Sequence, residues 1–407
     1  MRISTLTSGA ESCARACAIA LGFSIPISVA LDNVLLALVL LLWLVSANYA
    51  ARLERITHNR VALAALILFA LLIAGLAYGT REPGDGLHYV GKYADLAFIP
   101  LFATLFNTER ARHLAWVAFA AGMALTLVLS CLLWSGMLGH DLFRFADGGK
   151  PAVFKYYLTQ NILMAFGALV FAQLARAARV PWQRRLWTAL AALAVVNVAL
   201  MSPGRTGQVI LFVLVIYFVH SLWSWRGILY AAAAIALMAG IGLVALGNSS
   251  NRYALALDEM QTWQPGQATN SSIGLRLGFY RNSLDIAREH PLIGNGTGSF
   301  PKAYADRVAG TAEPLTTNPH SEFLNIAVQL GLMGVAAMLY LFGCVWHYAR
   351  NLPAYEHVLA RGLVVTMAIG CLFNSLLMDH TEGLLFGWAS GLLFAALNAP
   401  AEQRGAA

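Results

Sequence analysis

Twelve apolar runs leave this chain few ways to fold. They lie at residues 15–31, 33–50, 61–79, 93–107, 113–138, 157–177, 186–201, 206–222, 227–247, 320–346, 358–378 and 383–398. Soluble domains carry about 25% charged residues. Here the charged share is 12%, the hydrophobic share is 59% and the mean hydropathy is +0.64. Runs of this length and polarity belong in lipid. Lipid supplies no partner for a backbone N–H or C=O, so each run is expected to be a helix. The expected fold class is an all-α polytopic membrane protein with about 12 transmembrane helices. The runs 93–107 and 186–201 are short for a bilayer core of about 30 Å. They are expected to be tilted, partly re-entrant, or longer than their apolar centres. The first run follows Met1-Arg2 and Arg15 and is read as a retained span rather than a cleaved leader, because a second run follows at once.

The charges alternate from loop to loop. With the N-terminus inside, the inner segments hold 15 of the 27 Lys and Arg residues but only 5 of the 20 acids. That bias fits an N-in, C-in topology. The net charge of +7 and the pI near 9.3 therefore reflect short basic loops facing anionic lipid. No basic arm or stripe of the kind that binds nucleic acid is present. Cys13, Cys17, Cys131, Cys344 and Cys371 all fall in or beside apolar runs, so neither a disulfide framework nor a thiolate metal site is expected.

Three regions follow: helices one to nine over residues 1–247, one long helical outer loop over 248–319, and helices ten to twelve with a short tail over 320–407. The loop is too long for bare coil. Tyr253, Leu257 and Met260 recur at helical spacing, and so do Ile273, Leu277, Tyr280, Leu284 and Ala287. His290-Pro291 should stop the second stretch, and Gly294-Asn295-Gly296-Thr297-Gly298 should be a flexible turn. In the last run Gly383, Gly387, Gly391 and Ala395 recur every four residues, a small-residue face for close helix packing.

The residues able to carry chemistry fall on the outer side. Asn318-Pro319-His320-Ser321 reads as a helix start, with Asn318 as N-cap and Pro319 at the first position. His320 would then sit in the first turn, where the helix dipole disfavours the imidazolium and leaves a neutral base. Arg205 follows the turn Ser202-Pro203-Gly204 and starts the next helix, a ready phosphate site; headgroup contact is its bland alternative. Arg276 and Arg281 share one amphipathic helix. Arg281 has Asp285 four residues on and is expected to pair with it. Arg276 has no acid at that spacing, so it is the better ligand candidate of the two. Asp379-His380-Thr381-Glu382 is a tight turn that either orients His320 or an acceptor sugar, or is merely solvated. His380 is a reserve base, Glu382 a secondary candidate, and Lys92, Arg81 and Lys155 are outer cations. No Walker loop, His-Glu-x-x-His, Gly-x-Ser-x-Gly or Asp-x-Asp pattern occurs, so no metal and no cofactor are expected. The spans are poor in charge, unlike those of an ion-coupled transporter.

The run Gly274-Leu-Arg-Leu-Gly-Phe-Tyr-Arg, then His290-Pro291-Leu292-Ile293-Gly294-Asn295-Gly296, then Asn318-Pro319-His320-Ser321-Glu322-Phe323-Leu324 and Gly331-Leu332, resembles the O-antigen ligase and polymerase superfamily. Ser202-Pro203-Gly204-Arg205-Thr206-Gly207 is similar to that family's earlier arginine turn. The resemblance covers roughly residues 200–345. It implies a GT-C-like glycosyltransferase of the Gram-negative inner membrane, acting in lipopolysaccharide biosynthesis with its active site facing the periplasm. The implied partners are an O-antigen glycan on undecaprenyl pyrophosphate, a lipid A–core acceptor and membrane lipid. His320 would be the base, and Arg205 with Arg276 or Arg281 would hold the pyrophosphate. The short tail argues against the protein-glycosylating branch, and the single long loop favours a ligase over a polymerase; a lipid-linked sugar transporter, which should show charged or broken helices at mid-membrane and paired repeats, is the less favoured alternative.

Overall fold

A computed structural model describes residues 2–147, 149–245, 261 and 271–398. The expected stretch Tyr253–Met260 and the tail from Ala399 lie outside the described residues. The described chain is helical, with one isolated bridge between Asp147 and Lys150. In order, the helices are α1 (Arg2–Ser24), α2 (Val29–Val45), α3 (Tyr49–His58), α4 (Arg60–Ala74), α5 (Asp85–Lys92), α6 (Asp95–Leu105), α7 (Glu109–Trp134), α8 (Tyr157–Ala177), α9 (Pro181–Val196), α10 (Arg205–Ala245), α11 (Ser272–Glu289), α12 (Phe300–Val308), α13 (Glu322–Tyr348), α14 (Ala354–Phe373) and α15 (His380–Phe394). Several starts are written locally. Asn59 Oδ1 accepts the Val61 and Ala62 N–H groups at 3.2 Å, and Thr108 Oγ1 accepts that of Ala111 at 3.3 Å. Both close the orphan donors of a first turn.

Every apolar run is mainly helical in the described residues, with non-helical breaks at 25–28, 46–48 and 374–379, but not every one is a long span. Among the described residues, seven helical segments are long and apolar enough to cross a membrane: Arg60–Ala77, Glu109–Trp134, Tyr157–Ala177, Pro181–Met201, Arg205–Gly227, Glu322–Asn351 and Ala354–Phe373. An eighth is reached if α2 and α3, bent by 116°, count as one. The expected twelve is not reached by that measure, which asks for 18 described residues in one helix: α2, α6 and α15 are shorter, and the run 227–247 is described only in part. α6 has 11 residues and α15 has 15, and both are enclosed by other helices along most of their length. A helix that is apolar all round fits a protein interior as well as lipid. The run 186–201 is longer than its apolar centre, since its helix starts at Pro181 and continues through a π turn to Met201. The runs 206–222 and 227–247 share one helix, interrupted where Ser224 leaves helical geometry (φ 53°, ψ −141°).

The small-residue face on α15 does what its spacing predicts. A Cβ added at Gly387 would lie 2.6 Å from the Asp95 carbonyl, and one at Gly391 would lie 2.4 Å from Phe102 Cβ. α15 therefore seats directly on α6. Trp388, on the same helix, packs edge-on to Trp116 at 5.4 Å and donates its indole N–H to the Ala18 carbonyl at 2.8 Å. Bulky rings thus tie α1, α7 and α15 around one centre.

The expected flexible turn at Gly294–Gly298 is instead a rigid strap. Asn295 N–H donates to Val328 O and Gly296 N–H to Gln329 O, both at 2.8 Å. Thr297 bonds to Gly75 O and Leu72 O, and Gly298 N–H donates to Gln329 Oε1 at 2.8 Å. α13 is broken to receive it: Gly331 has φ 63° and ψ −158°, and the Leu332 and Met333 N–H groups turn to Pro291 O and Leu292 O. Only glycine takes that backbone easily. A Cβ at Gly296 would lie 2.2 Å from Tyr78 O. The glycines permit backbone-to-backbone contact here, where the sequence alone reads as freedom.

Candidate functional site

His320 lies just before α13, not in its first turn. The N-cap is Ser321 and the helix begins at Glu322. Asn318 does cap locally, but as a turn: its Oδ1 accepts the His320 N–H at 2.8 Å and also the Ser375 hydroxyl at 2.8 Å. The turn puts His320 in the left-handed region, at φ 55°. Such a backbone persists in a non-glycine residue only when its surroundings over-determine it. Here the ring stacks on Phe279 of α11 (centroids 5.8 Å, planes 26° apart), and the Tyr280 hydroxyl lies within donating distance of both His320 O at 3.0 Å and Leu372 O at 2.9 Å. The proton affinity of the imidazole falls below its ordinary value. Burial is the main cause and the Arg276 charge the second. The ring lies outside the first turn of α13, so desolvation and a neighbouring cation, rather than the helix dipole, disfavour its charged form.

The two arginines on α11 part company. Arg276 is half-buried, and its charge acts on His320, Tyr280 and Tyr157. Arg281 is exposed, and its expected partner Asp285 is held by Arg288 at 2.9 Å and Arg307 at 3.0 Å. Five residues turn a helix by roughly 140°, which carries Arg281 off the histidine side. Arg205 opens α10 as expected and is exposed. Its turn is clamped from behind, since Asn161 Nδ2 donates to Gly204 O at 2.6 Å and Gln208 Nε2 to Ser202 O at 3.2 Å.

Asn374, at the end of α14, joins these pieces. Its Nδ2 lies 3.5 Å from Thr206 Oγ1, beside Arg205, and its carbonyl accepts the Glu322 N–H at 3.2 Å. Ser321 donates to Cys371 O nearby at 3.3 Å. Glu322 is fully buried; its carboxylate accepts the Leu377 N–H at 2.9 Å, the Met378 N–H at 3.3 Å and the Tyr93 hydroxyl at 2.5 Å. Asn325 and Gln329 carry this polar line down α13 to the Gly298 strap. The segment 374–379 is therefore a fixed bracket between the arginine turn and the histidine turn. Asn374-Ser375 and Glu322 had a sequence signal, polar residues inside or at the mouth of apolar runs.

Asp379-His380-Thr381-Glu382 is not a free turn either. Asp379 is the N-cap residue of α15, and Thr381 and Glu382 are buried. Lys92 sits over the Tyr89 ring at 5.3 Å and acts on Asp379. His380 lies 3.8 Å from Asp32, and Lys155 lies 3.7 Å from it. At the far end of α14, Arg112 and Glu356 form a buried pair at 2.8 Å, with the Tyr355 hydroxyl also on Glu356. Twenty helical residues separate the two ends of α14, roughly 30 Å.

A bundle of long apolar helices with a histidine, two arginine-bearing elements and a buried polar bracket gathered at one end is a polytopic membrane protein. Residues 189–339, which hold Arg205, Arg276 and His320, match the O-antigen ligase family model, and the chain's resemblance to the O-antigen ligase and polymerase superfamily stands on that match. An uncharacterised protein of Haemophilus influenzae is 24% identical over 169 residues, 38% of this chain and 42% of that protein, so the match spans less than half of that relative. A chain of a solved peptidoglycan synthase complex aligns over 83% of this chain and 96% of its own length, at 19% identity and a TM-score of 0.46.

Proposed function

We propose that this protein is an O-antigen ligase of GT-C-like type in the Gram-negative inner membrane, with N-in, C-in topology and its site facing the periplasm. It would transfer a glycan from undecaprenyl pyrophosphate to a sugar hydroxyl of lipid A–core. The observation that carries this reading is the joining of the Arg205 turn, Arg276 and His320 at one end of the bundle within the matched segment.

In this reading His320 takes the proton of the acceptor hydroxyl. The freed oxygen attacks the anomeric carbon, and the bond from that carbon to the pyrophosphate oxygen breaks. Its electron pair leaves on undecaprenyl pyrophosphate. Direct displacement inverts the anomeric centre. Arg205 and Arg276 bind the pyrophosphate and offset the negative charge that grows on it. Desolvation of His320 and the Arg276 charge support the base role, since both keep the ring neutral near neutral pH.

The test is a reconstituted reaction. Purified full-length protein is mixed with undecaprenyl-pyrophosphate glycan and lipid A–core, and the products are run on a lipopolysaccharide gel beside His320→Ala. A ladder on lipid A–core that disappears in the variant is the expected result. Growth of the undecaprenyl-linked glycan alone would make the protein a polymerase, and no covalent product would end the transferase reading.

A further inference from the structure

Asp32, Lys155 and His380 come from three distant places: the first turn of α2, the loop before α8 and the first residue of α15. The fold packs them into one group, with Lys155 Nζ 3.7 Å and His380 Nε2 3.8 Å from Asp32 Oδ2. Asp32 is fully buried and Lys155 is 6% exposed, while His380 stands at the edge with about a third of its side chain open. Both Asp32 oxygens, Lys155 Nζ and His380 Nε2 are shielded from solvent, and none has a hydrogen-bond partner within 3.5 Å; Ser24 and Lys155 favour the Asp32 charge only through longer contacts. Ser24 lies beside Asp32, Asp95 faces it, and Glu382 with Thr159 lies beyond Lys155. Buried polar atoms are almost always hydrogen-bonded, and each exception calls for a reason. Four in one group, all on charged or titratable side chains, mark a place built for a ligand.

The donor set selects the ligand's chemistry. An anion would meet Asp32, and a cation would meet Lys155. An uncharged group that donates and accepts at once satisfies the ammonium, the carboxylate and the imidazole together, and a hydroxyl is that group. Sugars present several hydroxyls on adjacent carbons. The group is also tied to the histidine site by a short rigid path. Asn318, which fixes the His320 backbone, holds Ser375; Glu322 holds Leu377 and Met378; His380 follows two residues later.

We propose that Asp32, Lys155 and His380 form the subsite for the acceptor sugar, binding hydroxyls next to the one that reacts. The inference rests on the ligase reading. His380 admits the sugar at the open edge, and Asp32 and Lys155 exchange their loose ion contact for hydrogen bonds to it.

The experiment is steady-state ligation by full-length protein in nanodiscs, with lipid A–core varied at saturating donor and the donor varied at saturating lipid A–core. Asp32→Asn, Lys155→Gln and His380→Gln are compared with wild type, and folding is checked by thermal unfolding. The acceptor KM should rise about tenfold or more in Asp32→Asn and Lys155→Gln, the loss expected when a buried polar partner is removed. His380→Gln should raise it less, and the donor KM should stay within about twofold in all three, because the donor's charge is held elsewhere. An unchanged acceptor KM overturns the inference, as does a rise confined to the donor KM. Should Asp32→Asn fail to fold, Lys155→Gln and the edge variant His380→Gln decide alone. Transfer by wild type to a second undecaprenyl-linked glycan only, with that KM raised in the variants, supports the subsite for a different acceptor. No transfer by wild type to either acceptor removes the ligase reading, and the subsite with it.

Discussion

At the scale of single residues, the site separates groups that look alike in sequence. His320 and His380 are both outer-face histidines, but only His320 faces an arginine, stacks on Phe279 and sits in a left-handed turn fixed by Asn318. A positioned general base contributes about 10²–10⁴-fold. His320→Ala is therefore expected to lower the ligation rate by that range while undecaprenyl-pyrophosphate glycan still binds, as read by single-turnover and binding assays. The pH profile follows from the sign of its shift. Burial and Arg276 both lower the proton affinity of the ring, so the acidic limb should fall below the ordinary histidine value of 6.5. Arg276→Gln removes one of the two causes and should move that limb to higher pH, besides weakening donor binding. An acidic limb that stays put in Arg276→Gln would separate the two residues. Arg281→Gln serves as the contrast: it is exposed and turned off the histidine side, so its rate should stay within about twofold of wild type.

At the scale of elements, α13 is two half-helices around Gly331. The upper half starts two residues after His320, and its lower end carries the carbonyls that grip the Gly294–Gly298 strap. The described part of the long loop is thereby fastened within the bundle at Gly294–Gly298. Gly296→Val forces a β-branched residue into a left-handed backbone 2.2 Å from Tyr78 O. The backbone alone costs roughly 1–2 kcal/mol, and the clash adds to it. A lower thermal midpoint in detergent and a loss of activity in parallel are expected; an unchanged midpoint would mean the strap is not fastened as described. The strap shows how local pattern misleads. Gly-Asn-Gly-Thr-Gly reads as a flexible turn because glycine frees the backbone, yet the missing Cβ atoms are what let it lie against Gly75, Tyr78 and Gln329. The small-residue face of α15 was legible for the opposite reason, since its four-residue spacing already states a packed helix face.

At the scale of the whole molecule, two polar clusters stand at opposite ends of α14. The Arg112–Glu356 pair fixes the end away from His320. Removing one partner of a buried pair costs about 3–5 kcal/mol. Arg112→Ala should accordingly lower thermal stability and the yield of folded protein, while the folded fraction keeps a near-normal turnover; a large kcat loss with intact stability would tie that end to the chemistry instead. The long continuous apolar runs by themselves determined that the chain is helical and membrane-embedded, because in lipid such a run satisfies its own backbone as a helix. Residue order along the loops was enough to propose Arg205, Arg276 and His320 as candidates and to place the end of α11 at His290-Pro291, because proline stops and charge spacing are local. Tertiary structure decided the rest. It made α6 and α15 interior rather than long spans, since an all-apolar helix reads the same in protein and in lipid. It turned Arg281 away, brought Asn374 between Thr206 and Glu322, and gathered Asp32, Lys155 and His380 from three parts of the chain. Contacts between residues hundreds of positions apart depend on how helices pack, and no short window of sequence carries that information.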